Sequence, residues 1–104
     1  MVRRRRCSPQ TLTVLNVMLE RPRTWRHGYD LSIETGLQSG TLYPILMRLC
    51  DRELLESKWG PAEQAGRPPR HIYRLTADGV VFAKSELADA ESREIGAIPK
   101  GSPA

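Results

Sequence analysis

The stretch from Gln38 to Gly79 constrains this chain most, because its residue pattern changes period twice in quick succession. From Ser39 the run SGTLYPILMRLCD opens on polar residues and then sets Leu42, Ile45, Leu46 and Leu49 on one side of a helix. A strand-like segment, Leu55 to Trp59, follows. The next residues, GPAEQAGRPPR, hold three prolines and two glycines and can form neither a helix nor a ladder. His71 to Leu75 reads as a second strand, and Thr76 can cap another helix. Two strands around such a loop make a hairpin with an exposed, basic tip, set between two helices.

The upstream sequence supplies the partners for that unit. Ser8-Pro9 is a helix start, with Ser as N-cap and Pro in the first turn. Leu12, Leu15, Met18 and Leu19 recur at helical spacing, Val14 and Val17 widen the stripe, and Pro22 stops the helix near Arg21. Thr24 can cap a second helix from Trp25 to about Thr35, ended by Gly36, with Trp25, Tyr29, Leu31 and Ile33 as its apolar contacts. Gly28, costly in a helix, suggests a backbone packed closely against a neighbour. Only Leu37 and Gln38 separate Gly36 from Ser39, so these two helices must cross sharply, as in a helix-turn-helix. The last helix runs through Val80, Ala83, Leu87 and Ala90 and frays near Gly96.

The expected fold is therefore mainly α with a small β-hairpin, a winged helix-turn-helix in the order helix, helix, helix, strand, strand, helix. At 104 residues it makes one domain over residues 8–95, with a disordered basic arm at 1–7 and a disordered tail at 96–104. There is no internal repeat. The net charge of +4 is unevenly spread: residues 1–76 hold 13 Lys/Arg and 7 Asp/Glu (+6), against 3 and 5 (−2) in 77–104. Positive charge thus travels with the hairpin and the helix before it, where it raises phosphate affinity through counterion release.

The two contact elements suit a duplex. A helix entering the major groove reads bases near its N-terminus. Here that end offers Ser39, Gly40, Thr41 and Tyr43, with Arg48 further along to reach phosphate or a guanine edge. Ser39 also serves as the N-cap, and Tyr43 has the alternative of a partly packed ring. Lys58, Arg67 and Arg70 belong to the hairpin, where neighbouring prolines stiffen the two arginines. Arg3 to Arg6 can trail along the backbone or a minor groove, or form an unstructured start.

Enzyme chemistry finds no constellation. His27 and His71 are the only imidazoles, and neither stands in a Ser/His/Asp or metal-ligand spacing. No glycine-rich loop is followed by Lys-Ser/Thr, so no cofactor, metal or catalytic residue is expected. Cys7 and Cys50 fit free thiols in a reducing cytoplasm, Cys50 beside the core stripe and Cys7 more exposed among arginines. No run nears the roughly 18 apolar residues of a membrane span, and MVRRRRCSPQ leads into no signal-type apolar core.

On the residues HGYDL (27–31), SGTLYPIL-RL (39–49), LLESKW (54–59) and GRPPR–Y-LT-DG (66–79), the chain resembles the PadR family of bacterial transcriptional regulators. The resemblance covers about residues 10–90. It implies a homodimeric repressor on a palindromic operator of double-stranded DNA, working in the cytoplasm at the nucleoid and often released by a small molecule. Helix 39–53 would enter the major groove and wing 60–70 would lie on the backbone, so Ser39, Thr41, Tyr43, Arg67 and Arg70 match the family's contact positions. Dimerisation is implied through Val80, Ala83, Leu87 and Ala90 of the last helix, together with Leu12 and Leu15. The chain resembles the subgroup with a short C-terminal region, and no residue matches an effector motif. The alternative is a winged helix used as a protein–protein interaction module without sequence-specific DNA binding.

Overall fold

The computed structural model describes residues 7–61 and 70–97. Along the chain run α1 (Pro9–Glu20), β1 (Arg26–His27), α2 (Gly28–Thr35), α3 (Ser39–Asp51), β2 (Leu55–Trp59), β3 (His71–Leu75) and α4 (Ala77–Ala97). The four helices and three antiparallel strands form the expected winged helix-turn-helix, with one strand more than the sequence suggested.

The added strand changes how the second helix begins. Trp25 to His27 were expected to be helical behind a Thr24 cap. Instead Arg26 pairs with Tyr73 and His27 with Ile72, giving a sheet ordered β1-β3-β2. β3 would otherwise present one open edge, and pairing with a strand from far earlier in the chain satisfies it. The helix consequently starts at Gly28, with His27 as an N-cap whose side chain makes no capping bond. Gly36 ends it in the left-handed conformation, as expected.

The other helix boundaries follow local chemistry. The Ser8 hydroxyl accepts the Thr11 N–H at 3.1 Å, and α1 stops at Glu20 with Arg21 as its C-cap. Gln38, rather than Ser39, is the N-cap of α3: the amides of Thr41 and Leu42 both donate to the Gln38 carbonyl. Pro44 sits early enough in α3 for the helix to continue.

At its other end α3 stops at Asp51, short of the expected Glu53. Glu53 adopts a left-handed φ of 62°, its N–H donates to the Cys50 carbonyl, and the Leu54 N–H reaches back to Leu49. This is a Schellman closure with glutamate in the place usually held by glycine. It turns the chain directly into β2. Thr76 starts α4 as predicted: its hydroxyl accepts the Gly79 N–H at 2.9 Å and donates to the Glu53 carbonyl at 2.8 Å. The helix then continues to Ala97, slightly past the expected fraying point.

The core lies where the helices meet one face of the sheet. Leu15, Met18, Leu31, Leu42, Leu46 and Leu75 are wholly buried there, each contributing roughly 1.5–3 kcal/mol of apolar transfer. All four residues of the predicted α3 stripe are buried. Leu15 and Ala83 are also fully enclosed, in the chain's own core. They are therefore core residues rather than parts of a surface open to a second copy. Tyr29 and Ile33, expected as inward contacts, face outward at 62% and 61% exposure, because the later start of α2 leaves Leu31 as its principal core residue. Cys7, expected in a disordered arm, packs half-buried against the core cluster.

Candidate nucleic-acid interface

The site is built on the outward side of α3 and the base of the hairpin. With Leu42, Ile45, Leu46 and Leu49 anchored in the core, helical periodicity turns Gly40, Thr41, Pro44, Met47 and Arg48 outward, and all five are exposed. Ser39 is exposed at the helix start, where leading amides have no carbonyl one turn back and favour an anion. Ser39, Gly40, Thr41 and Arg48 thus share one accessible surface.

Tyr43 occupies the flank of that surface and is fixed there. Its ring crosses the backbone at the start of α2 so closely that a Cβ on Gly28 would stand 2.3 Å from the hydroxyl oxygen and 2.9 Å from two ring carbons. The close approach inferred from Gly28 is thus with the tyrosine of the next helix. Tyr43 is thus a packed ring that is still 38% exposed.

The hairpin base is held by specific contacts. The Gly60 N–H donates to the Arg70 carbonyl at 2.6 Å, and the Trp59 and His71 rings lie 3.9 Å apart between centroids. Lys58 and Arg74 both lie against the Trp25 ring, at 4.5 and 4.3 Å from its centroid. Arg74 is oriented in turn by Glu56, its Nε donating at 3.1 Å. Lys58 is therefore exposed but positioned, and Arg70 is exposed at the hairpin base. Arg67 and Arg3 to Arg6 lie outside the described residues.

Between these elements is an open cleft of about 340 Å³, lined by Gly28, Tyr29, Tyr43, Arg70 and His71. It joins the start of α2 to α3 and the hairpin. Sequence reasoning assigned neither Tyr29 nor His71 to this face. Tyr29 was given to the core from helical spacing alone, and His71 carries no local signal of its position.

Behind this face lies a polar contact that the sequence reading missed. Arg26 is 4% exposed, donates to the Val17 carbonyl at 3.2 Å and pairs with the Glu34 carboxylate. It ties the end of α1 to α2 through β1. Burial raises the Cys50 thiol pKa, an effect partly offset by a hydrogen bond with Ser57 and reinforced by Asp51. Burial likewise raises the Tyr73 phenol, with smaller contributions from Tyr43 and Cys50. Among the described residues no cluster of His, Cys, Asp or Glu could hold a metal ion, and no helix is long and apolar enough to cross a membrane.

A sharply turned α2–α3 pair, with a three-stranded sheet and hairpin beside the second helix, defines a winged helix-turn-helix of the DNA-binding class. Residues 14–85 match the family described as the Transcriptional regulator PadR-like family, and the chain belongs to it. Solved structures agree in fold. A PadR-like transcription factor from Bacteroides fragilis is 28% identical, with 84% of this chain and 87% of that one covered at a TM-score of 0.64. A PadR family transcription regulator from Clostridium difficile R20291 is 21% identical, with 86% and 92% covered at 0.66. A transcriptional regulator homologue from Pyrococcus horikoshii OT3 is 20% identical, with 88% and 86% covered at 0.70.

Proposed function

We propose that this chain is a homodimeric repressor that binds a palindromic operator, with α3 in the major groove and the wing over residues 60–70 on the backbone. The observation that carries this reading is the shared outward surface of α3 and the hairpin base. Ser39, Gly40 and Thr41 bring hydroxyls and close backbone approach, Tyr43 a braced phenol, and Arg48 a cation two turns on. Arg70 flanks them from the hairpin base beside Tyr43, and Lys58 and Arg67 are assigned to backbone contact by the wing. The excess of positive charge in residues 1–76 fits the same partner. Such a regulator works in the cytoplasm, at the nucleoid.

Dimerisation is assigned to the surface formed by α4 and the neighbouring side of α1. Val80, Leu87, Ala90 and Leu12 are half-buried, so each keeps apolar area to offer a second copy. Two copies related by a two-fold axis would present paired α3 helices, and a palindrome is the matching DNA symmetry.

The test is binding to duplex DNA across salt concentrations, followed by light scattering. Affinity that falls steeply with salt, from a species of twice the chain mass, supports the proposal. Salt-insensitive or absent DNA binding favours a protein-interaction module instead.

A further inference from the structure

The outward residues of α3 fall into three rows. One flank carries Thr41 and Arg48, the other Tyr43. The middle row, opposite the buried leucines, is Gly40, Pro44 and Met47, spaced so that they succeed one another along the helix axis. Its residues have little to offer a polar base edge. Gly40 has no side chain, Pro44 presents only ring carbons, and Met47 ends in a thioether that is a weak acceptor and no donor. Met47 is nevertheless 63% exposed. Asp51 follows on the same row and carries a charge that phosphate repels, so the apolar part of the row ends at Met47.

We infer that this middle row reads thymine through its C5-methyl group, with Met47 as the specificity-determining residue and Pro44 completing the apolar surface. The inference rests on the DNA-binding reading and deepens it. The row facing away from the core is the one a groove-bound helix turns toward the base pairs. Of the groups displayed on the major-groove edge, the thymine methyl is the apolar one. Hydrogen-bonded readout then falls to the flank with Thr41 and Arg48. A long, unbranched thioether suits the task because it can adjust its contact surface to a methyl group.

The experiment starts from a duplex that the full chain enriches from a random-sequence pool. Each thymine in a half-site is then replaced by deoxyuridine, which removes the methyl and leaves every hydrogen-bonding group in place. At one position or two adjacent positions, the wild-type protein should bind about fourfold more weakly, the effect of one methyl-sized burial. With Met47→Ala the same replacement should change affinity by less than about 1.5-fold, because the contacting side chain is gone. Met47→Gln, of similar length, should enrich a different base at that position, and circular dichroism checks that both variants keep the fold. Wild-type binding unaffected by every replacement, or a loss that persists in Met47→Ala, overturns the inference while leaving DNA binding intact. Failure to enrich any duplex, with no salt-dependent binding to random DNA, overturns the DNA-binding reading and this inference together.

Discussion

Tyr43 of α3 covers Gly28 of α2 so tightly that glycine is the one residue whose missing Cβ lets the ring lie there, the hydroxyl being 2.3 Å from where that carbon would stand. The sharp turn between the two helices is thereby braced by a contact at the edge of the proposed DNA surface. The same ring also borders the cleft beside Arg70 and His71. One side chain thus links helix packing to the geometry of the contact face.

Gly28→Ala should displace the Tyr43 ring and destabilise the fold by about 1–2 kcal/mol through overpacking. In a Tyr43→Ala background the same change should be nearly neutral or slightly stabilising, since alanine is the better helix former. Denaturant melts of the four proteins measure the coupling. Additive effects would mean that the contact carries no energy.

Glu53 holds a left-handed φ of 62° at the closure of α3, a conformation that disfavours any residue with a Cβ. Its backbone makes the important bonds: its N–H donates to Cys50, and its carbonyl accepts the Thr76 hydroxyl. Glu53→Gly keeps both and relieves the strain. It should raise stability by about 0.5–1 kcal/mol, read as a higher thermal midpoint.

Arg26 and Glu34 should respond unequally to mutation. Arg26→Met removes the buried charge itself and leaves the Val17 carbonyl without its donor, while Glu34, a third exposed, is still reached by water, so it should cost about 1–2 kcal/mol. Glu34→Gln keeps an acceptor but leaves a guanidinium that is 4% exposed without its countercharge, and that change should cost about 3 kcal/mol. Equal losses in urea melts would contradict this asymmetry.

The raised Cys50 and Tyr73 pKa values fix the sign of a pH effect. Both groups ionise more readily in the unfolded chain than in the fold. Their contribution is complete below the unfolded values and is lost as pH rises through the folded ones. Stability should therefore be level near neutrality and decline from about pH 8.5 upward, first through the thiol and then through the phenol. Cys50→Ser should flatten the earlier part of that decline in melts at successive pH values.

Much of the fold could be read from local pattern. The α3 stripe, the caps at Ser8 and Thr76, the stop at Gly36 and the two long strands each depend on residues a few positions apart, and each is present in the structure. β1 could not be read this way, because Arg26 and His27 become a strand by pairing with Tyr73 and Ile72, far along the chain. The end of α3 was misjudged for a related reason: Glu53 lacks the composition that announces a left-handed closure, and bonds to Cys50, Leu49 and Thr76 hold it there.

The candidate surface divides in the same way. Its outward residues on α3 followed from helical periodicity once the buried stripe was recognised. The positions of Lys58 and Tyr43 depended on Trp25 and Gly28, neighbours brought close by the short α2–α3 connection and the three-stranded sheet. Leu15 and Ala83 show the limit most plainly. Apolar spacing marks which side of a helix must be covered, but only packing decides whether the cover comes from the chain itself, as it does here, or from a second copy. Sequence by itself determined periodicity, caps and breaks, which are local free-energy preferences. Tertiary structure decided pairing, enclosure and close approach, which depend on which distant groups meet.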